Sequence, residues 1–103
     1  MLLEIRTASR KTPRDGRFEI TSATADRLSA LGASISIVLD DVAGTAVVER
    51  LACTCDKAGQ SGGHEHQFLV SDLLRTATPE RTYVLEQEEG GRLRLTSAHD
   101  GLA

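Results

Sequence analysis

Apolar side chains recur at every second position in several short segments of this chain. Leu3 and Ile5 flank a glutamate, and Ile35, Ile37 and Leu39 alternate with a serine and a valine. A period of two is typical of strands that bury one face, because successive side chains of a strand point to opposite faces. The sequence therefore favours a β-rich fold over a helical bundle.

Turn and capping residues divide the chain into about seven strands and two short helices. The sequence predicts one helix over 23–31, capped by Thr21 or Ser22 with Leu28 and Leu31 facing the core, and another over 72–77, capped by Ser71. It predicts a polar loop over 9–16 and a turn over 40–44. The predicted strands are 3–7, 18–20, 35–39, 45–55, 64–70, 82–87 and 92–96.

The length of 103 residues is that of one domain, so we expect a single β-rich domain spanning 1–103. Its aromatic residues are only Phe18, Phe68 and Tyr83, so the core must be largely aliphatic. Mainly antiparallel short strands predict a small barrel or rolled sheet. In its pattern of elements, the chain resembles small DNA-binding pseudobarrels such as the B3-like domains of some restriction enzymes, which implies DNA contact as one expected function.

The N-terminal segment has no features of an export signal. Glu4 and Arg6 interrupt the apolar residues where a signal peptide needs a continuous apolar stretch. The chain also has no apolar run of the roughly 18 residues that a membrane span requires. We therefore expect a cytoplasmic protein with no membrane association.

The charge is distributed unevenly along the chain. The formal net charge is −3, but residues 1–17 carry +3 and residues 18–103 carry −6. Arg10, Lys11, Arg14 and Arg17 are therefore candidate nucleic-acid contacts, since such binding depends on neutralising phosphates. The alternative is that this segment is an ordinary solvated polar loop.

Both cysteines and two of the three histidines lie within fourteen residues. Cys53 and Cys55 share one face of a strand, and His64 and His66 share one face of the next. If the two strands pair in an antiparallel register with Cys55 opposite His64, Cys53 lies opposite His66 and Leu51 lies opposite Phe68. All four side chains would then meet on one face, which continues into the core.

Two thiolates and two imidazoles around a tetrahedral centre are a standard zinc ligand set. The intervening residues 56–63 are polar and contain three glycines, so a metal ion at their ends would offset the entropy of ordering them. The sequence predicts one structural zinc ion per chain, bound by Cys53, Cys55, His64 and His66. The spacing is C-x-C and H-x-H rather than the usual C-x-x-C, as ligands on strands would require.

Other interpretations of this cluster stay open. One alternative makes the cysteines small core residues beside surface histidines, and another makes one of them half of a Cys–His nucleophile pair. A site with an open coordination position would make the protein a metalloenzyme. The H-x-H pattern resembles half of the metal motif of cupin barrels, although Val70 or Ser71 stands where that motif has a glutamate and His99 is the only later histidine.

These observations predict a cytoplasmic zinc-binding module that acts as a binding or regulatory domain rather than as an enzyme. The first alternative is a nucleic-acid contact module that uses the basic residues of the 10–17 segment, and the second is a metalloenzyme. The partner is expected to be a protein or a nucleic acid, and the sequence identifies neither it nor the oligomeric state.

Overall fold

A computed structural model describes residues 1–52 and 65–98 of the chain. These residues form seven strands, two short α-helices and one 3₁₀ helix. In chain order the elements are β1 (Leu2–Thr7), α1 (Lys11–Asp15), β2 (Arg17–Ile20), α2 (Ser22–Ser29), β3 (Ile35–Leu39), β4 (Val42–Ala52), β5 (Glu65–Val70), the 3₁₀ helix (Asp72–Thr76), β6 (Thr82–Gln87) and β7 (Leu93–Ser97). The predicted mainly β fold class is confirmed.

All seven strands belong to one sheet, in the order β1-β6-β7-β3-β4-β5-β2. Neighbouring strands are antiparallel except β3 and β7, which run parallel. The sheet curls into a nearly closed barrel, as the sequence predicts. β4 connects its two halves, because residues 42–46 pair with β3 and residues 47–52 pair with β5.

The core is aliphatic apart from two aromatic rings. Phe18 and Tyr83 pack edge to face with their ring centroids 6.0 Å apart, a preferred geometry for aromatic pairs. The phenol oxygen of Tyr83 accepts a hydrogen bond from the backbone N–H of Thr78 at 3.1 Å, which satisfies the polar end of this buried side chain. Aliphatic residues from the strands and α2 fill the rest of the core.

Side chains bridge the two strands at the ends of the sheet, β1 and β2. The carboxylate of Glu4 accepts from the backbone N–H of Thr21 at 2.9 Å and pairs with Nε of Arg6 at 3.1 Å. Arg6 also lies 3.9 Å from Glu19 on β2. Thr21 is the residue whose side chain caps α2, so this bridge also supports the start of that helix.

A two-residue turn joins β3 to β4. Asp40 and Asp41 both have positive φ, of 44° and 75°, and Leu39 pairs directly with Val42. This is the conformation that two-residue hairpins favour, because its twist matches that of the strands. The predicted turn at these aspartates is therefore confirmed, but β4 begins at Val42 rather than at residue 45. The predicted end of this strand and the start of the next, at 53–55 and 64, lie outside the described residues.

The prediction of a loop over 9–16 is wrong, because residues 11–15 form the one-turn helix α1. Pro13 lies in its first turn, where its missing N–H has no intrahelical partner to lose. Gly16 ends the helix at φ 69°. A Cβ at this glycine would lie 2.8 Å from the carbonyl oxygen of Ser71, so the close approach of the two segments requires glycine.

The first predicted helix is shorter than expected. α2 ends at Ser29, so Leu28 is fully buried while Leu31 is 40% exposed and packs beside Gly91. The prediction that both leucines face the core is right for Leu28 and wrong for Leu31, because the helix stops before the turn that would carry the second one inward.

We predict that Leu28→Ala destabilises the fold by about 2–5 kcal/mol, since it removes buried methyl groups and leaves a cavity. The matched variant Leu31→Ala should cost less than about 1 kcal/mol, because its side chain is already partly solvated. Urea denaturation of both variants measures the difference. Equal losses would contradict the assignment of Leu28 alone to the core.

Glu88 connects the two arginines of the last hairpin. Its carboxylate accepts from Nε of Arg92 at 2.6 Å and from Nε of Arg94 at 2.7 Å. These hydrogen bonds hold the pKa of Glu88 below its usual value of 4.5. The alternation of the two arginines in the sequence predicts pairing of both with Glu86 or Glu88, and the pairing with Glu88 is confirmed.

We predict that Glu88→Gln lowers the Tm near neutral pH and not in strong acid. A carboxylate whose pKa is lowered by folding stabilises the folded state above its unfolded pKa, and that contribution is lost as the pH falls through the lowered value. Thermal melts across the acidic range check this expectation. A Tm difference that stays constant down to strong acid would show that the charge of Glu88 has no part in the effect.

Candidate functional site

A surface cleft of about 480 Å³ lies where α1 and β2 meet the adjoining ends of β4 and β5. We call it the α1 cleft. Its walls include residues from both features that the sequence analysis singled out, the basic segment and the cysteine–histidine segment. Its charged and aromatic lining residues are Lys11, Arg14, Asp15, Arg17, Glu19, His66 and Phe68, and Leu51 adds apolar surface.

The register of the β4–β5 ladder differs from the predicted one. Leu51 lies opposite His66, and Glu49 lies opposite Phe68. The prediction that residue 53 faces His66 is therefore wrong by two residues. The face is also reversed, because Leu69 points into the core while His66 and Phe68 lie half-buried on the outside.

His66 is held by an acidic residue from the neighbouring strand. Its Nδ1 lies 2.8 Å from Oε2 of Glu19, whose other oxygen faces Arg6. The imidazole is also tilted against Phe68, with ring centroids 6.3 Å apart. Glu19 therefore fixes the orientation of His66 and links it to the bridge between β1 and β2.

Three of the four predicted zinc ligands, Cys53, Cys55 and His64, lie outside the described residues. His66 is the only one of the set within them. Across residues 1–52 and 65–98, no group of three or more His, Cys, Asp or Glu side chains is arranged to hold a metal ion. The predicted zinc site thus stays a prediction, and its described part is the pair formed by His66 and Glu19.

The structure brings three of the four predicted basic contacts together and separates the fourth. Lys11, Arg14 and Arg17 line the α1 cleft, whereas Arg10 is largely exposed and lies 4.0 Å from Glu80. Among the residues that the structure describes, no carboxylate lies within ion-pairing distance of Lys11.

Acidic neighbours engage the two arginines of the cleft. Arg14 donates to both oxygens of Asp15, at 3.2 and 3.1 Å, which lowers the pKa of Asp15 and raises that of Arg14. Arg17 lies 3.0 Å from Oε1 of Glu49, and its guanidinium stands 5.9 Å from the ring centroid of Phe68. The positive charge available to a partner is therefore smaller than the sequence suggests.

Sequence reasoning missed Glu19 and Phe68 as parts of this site. Glu19 lies two positions after Arg17, so alternation along β2 places both on one face. That signal is present in the sequence, but the pairing of β2 with β5, which brings Glu19 beside His66, is a long-range contact that local patterns do not specify.

In the described part of the chain, no helix is long and apolar enough to cross a membrane. Comparisons with protein-family models, curated proteins and solved structures find no match for the chain.

Proposed function

We propose that this chain is a zinc-binding module that acts as a binding or regulatory domain. One zinc ion would cross-link the β4–β5 hairpin through Cys53, Cys55, His64 and His66. The observation that carries the proposal is the contact of 2.8 Å between Nδ1 of His66 and Glu19.

Histidines that bind metals commonly donate their other ring N–H to a carboxylate, which fixes the tautomer and raises the basicity of the ligand nitrogen. Glu19 is placed to do this for Nδ1 of His66, so a metal ion would be bound through Nε2.

The connectivity of the hairpin favours the same interpretation. Ala52 and Glu65 form the last described pair of the β4–β5 ladder. Cys53 follows Ala52 directly in the chain, and His64 directly precedes Glu65. The two described residues that flank the other three candidate ligands in the sequence therefore lie paired next to His66.

Zinc at this position would supply a cross-link where the hairpin has few apolar contacts. Leu51 is 38% exposed and the adjacent Ala52 is also exposed, so the end of the ladder buries little apolar surface. Four protein ligands make a closed site, which is the structural type. The nucleic-acid module and the metalloenzyme stay as the alternative predictions.

We predict about one zinc ion per chain in the purified protein, and loss of that zinc in each of Cys53→Ser, Cys55→Ser, His64→Asn and His66→Asn. Loss of the metal should also lower the Tm, because zinc that binds only the folded state stabilises it. Elemental mass spectrometry and thermal melts with and without a chelator measure both effects. The matched control is His99→Asn, which changes the remaining histidine and should keep the metal.

Two outcomes of that series would contradict the closed site. If the wild-type protein contains no metal and a chelator does not change its Tm, the folded protein does not bind zinc and the proposal is wrong. Retention of zinc by one of the four variants would indicate three protein ligands and an open position, which is the metalloenzyme alternative.

We also predict that Glu19→Ala weakens zinc binding by about 10–100-fold, the usual cost of removing a partner of a metal-binding histidine. Two controls separate this effect from others. Arg6→Ala breaks the contact of Glu19 with β1 but keeps Glu19 beside His66, and Glu65→Ala removes a neighbouring charge. Competition with a zinc-binding dye gives the affinities. Equal zinc affinity of Glu19→Ala and Arg6→Ala would contradict a role for Glu19 at the metal.

A further inference from the structure

We infer that the α1 cleft binds a short acidic peptide segment, in which a carboxylate side chain alternates with an apolar one. The inference rests on the proposed role as a binding domain and names its ligand, but none of the contacts that carry it requires zinc. Its basis is Lys11, whose side chain pairs with no described carboxylate, beside an apolar surface in a cleft of about 480 Å³ that Asp15 and Glu19 also line.

Lys11 would provide the charge that a carboxylate recognises. It lies at the start of α1 on the wall of the cleft, and its side chain pairs with no carboxylate in residues 1–52 and 65–98. Arg14 and Arg17 differ, because Asp15 and Glu49 already engage them. An incoming carboxylate therefore gains most from Lys11, through a charge-assisted hydrogen bond.

The apolar part of the cleft is formed by Leu51 and Phe68. Leu51 is 38% exposed although it lies on a paired strand, and Phe68 is half-buried on the outside of the barrel beneath Arg17. An apolar side chain that covers these residues would remove their surface from water. The cleft volume lies within the range of small ligand sites, which fits a few peptide residues.

An acidic peptide fits this cleft better than a nucleic acid does. Binding along a phosphate backbone depends on several cations that are free to replace counterions, whereas Lys11 is the one cation of the described cleft lining that no carboxylate engages. Carboxylates of this chain already pair with both arginines of the cleft. The described lining has one aromatic ring besides the imidazole, whereas single-strand binding stacks successive bases on successive rings.

The test uses a probe peptide, acetyl-Trp-Gly-Glu-Leu-Glu-Leu-amide. The chain has no tryptophan, so fluorescence anisotropy of the probe reports binding without background from the protein. We expect saturable binding by the wild-type protein. In Lys11→Ala the Kd for the probe should rise about tenfold, because the variant loses a hydrogen bond between charged groups. Leu51→Ser should weaken it too, while the matched variant Arg10→Ala, which changes an exposed cation outside the cleft, should bind as the wild-type protein does.

A second peptide with glutamine in place of both glutamates tests the charge. The inference is overturned if neither peptide binds, if the glutamine peptide binds equally well, or if Lys11→Ala and Arg10→Ala bind alike. A competing strand of eight thymidine nucleotides tests for a nucleic acid. If it competes more strongly than the glutamate peptide and loses affinity in Lys11→Ala, the ligand of the cleft is a nucleic acid and the inference is wrong. Zinc content, measured on the same samples, should be unchanged in Lys11→Ala, so failure of this inference is separate from failure of the zinc site.

Discussion

The change of partner along β4 is the constraint on which the rest of the barrel depends. Its first five residues pair with β3 and its last six pair with β5, so this one strand belongs to both halves of the sheet. Small residues on its inner side make room for the 3₁₀ helix. A Cβ at Gly44 would lie 3.1 Å from Cδ2 of Leu73, and Ala46 is buried beside it. A larger side chain at Gly44 would push the 3₁₀ helix away from the strand.

The same strand determines which side of the hairpin carries the candidate site. With Leu51 opposite His66, the imidazole lies on the outer face, and the pairing of β2 with β5 brings Glu19 beside it. Glu19 in turn contacts Arg6 across the gap between β1 and β2. The β4–β5 ladder therefore positions His66, the described metal-ligand candidate, and forms one wall of the α1 cleft. Through Glu19 and Arg6 it also connects His66 to the gap between β1 and β2.

Alternation along the sequence was sufficient to predict the strands and the barrel, because burial on one face imposes a period of two. It was insufficient for the register, since two registers that differ by two residues keep the same side chains on the same face. Leu69 points into the core and so sets the face of β5, but it does not distinguish these two registers. Helix α1 was missed because Pro13 is typical of a turn as well as of a first helical turn. Glu19 was missed because its neighbour His66 is 47 residues away.

X-ray absorption at the zinc edge of the purified protein identifies the ligand atoms around a bound metal, so it distinguishes a Cys2His2 site from any other. We expect a four-coordinate site with two sulfur atoms at about 2.3 Å and two nitrogen atoms at about 2.0–2.1 Å. A shell of only nitrogen and oxygen atoms, or a protein without zinc, would contradict it. Either result would favour the alternative interpretations, in which the cysteines are packing residues or one of them is a nucleophile.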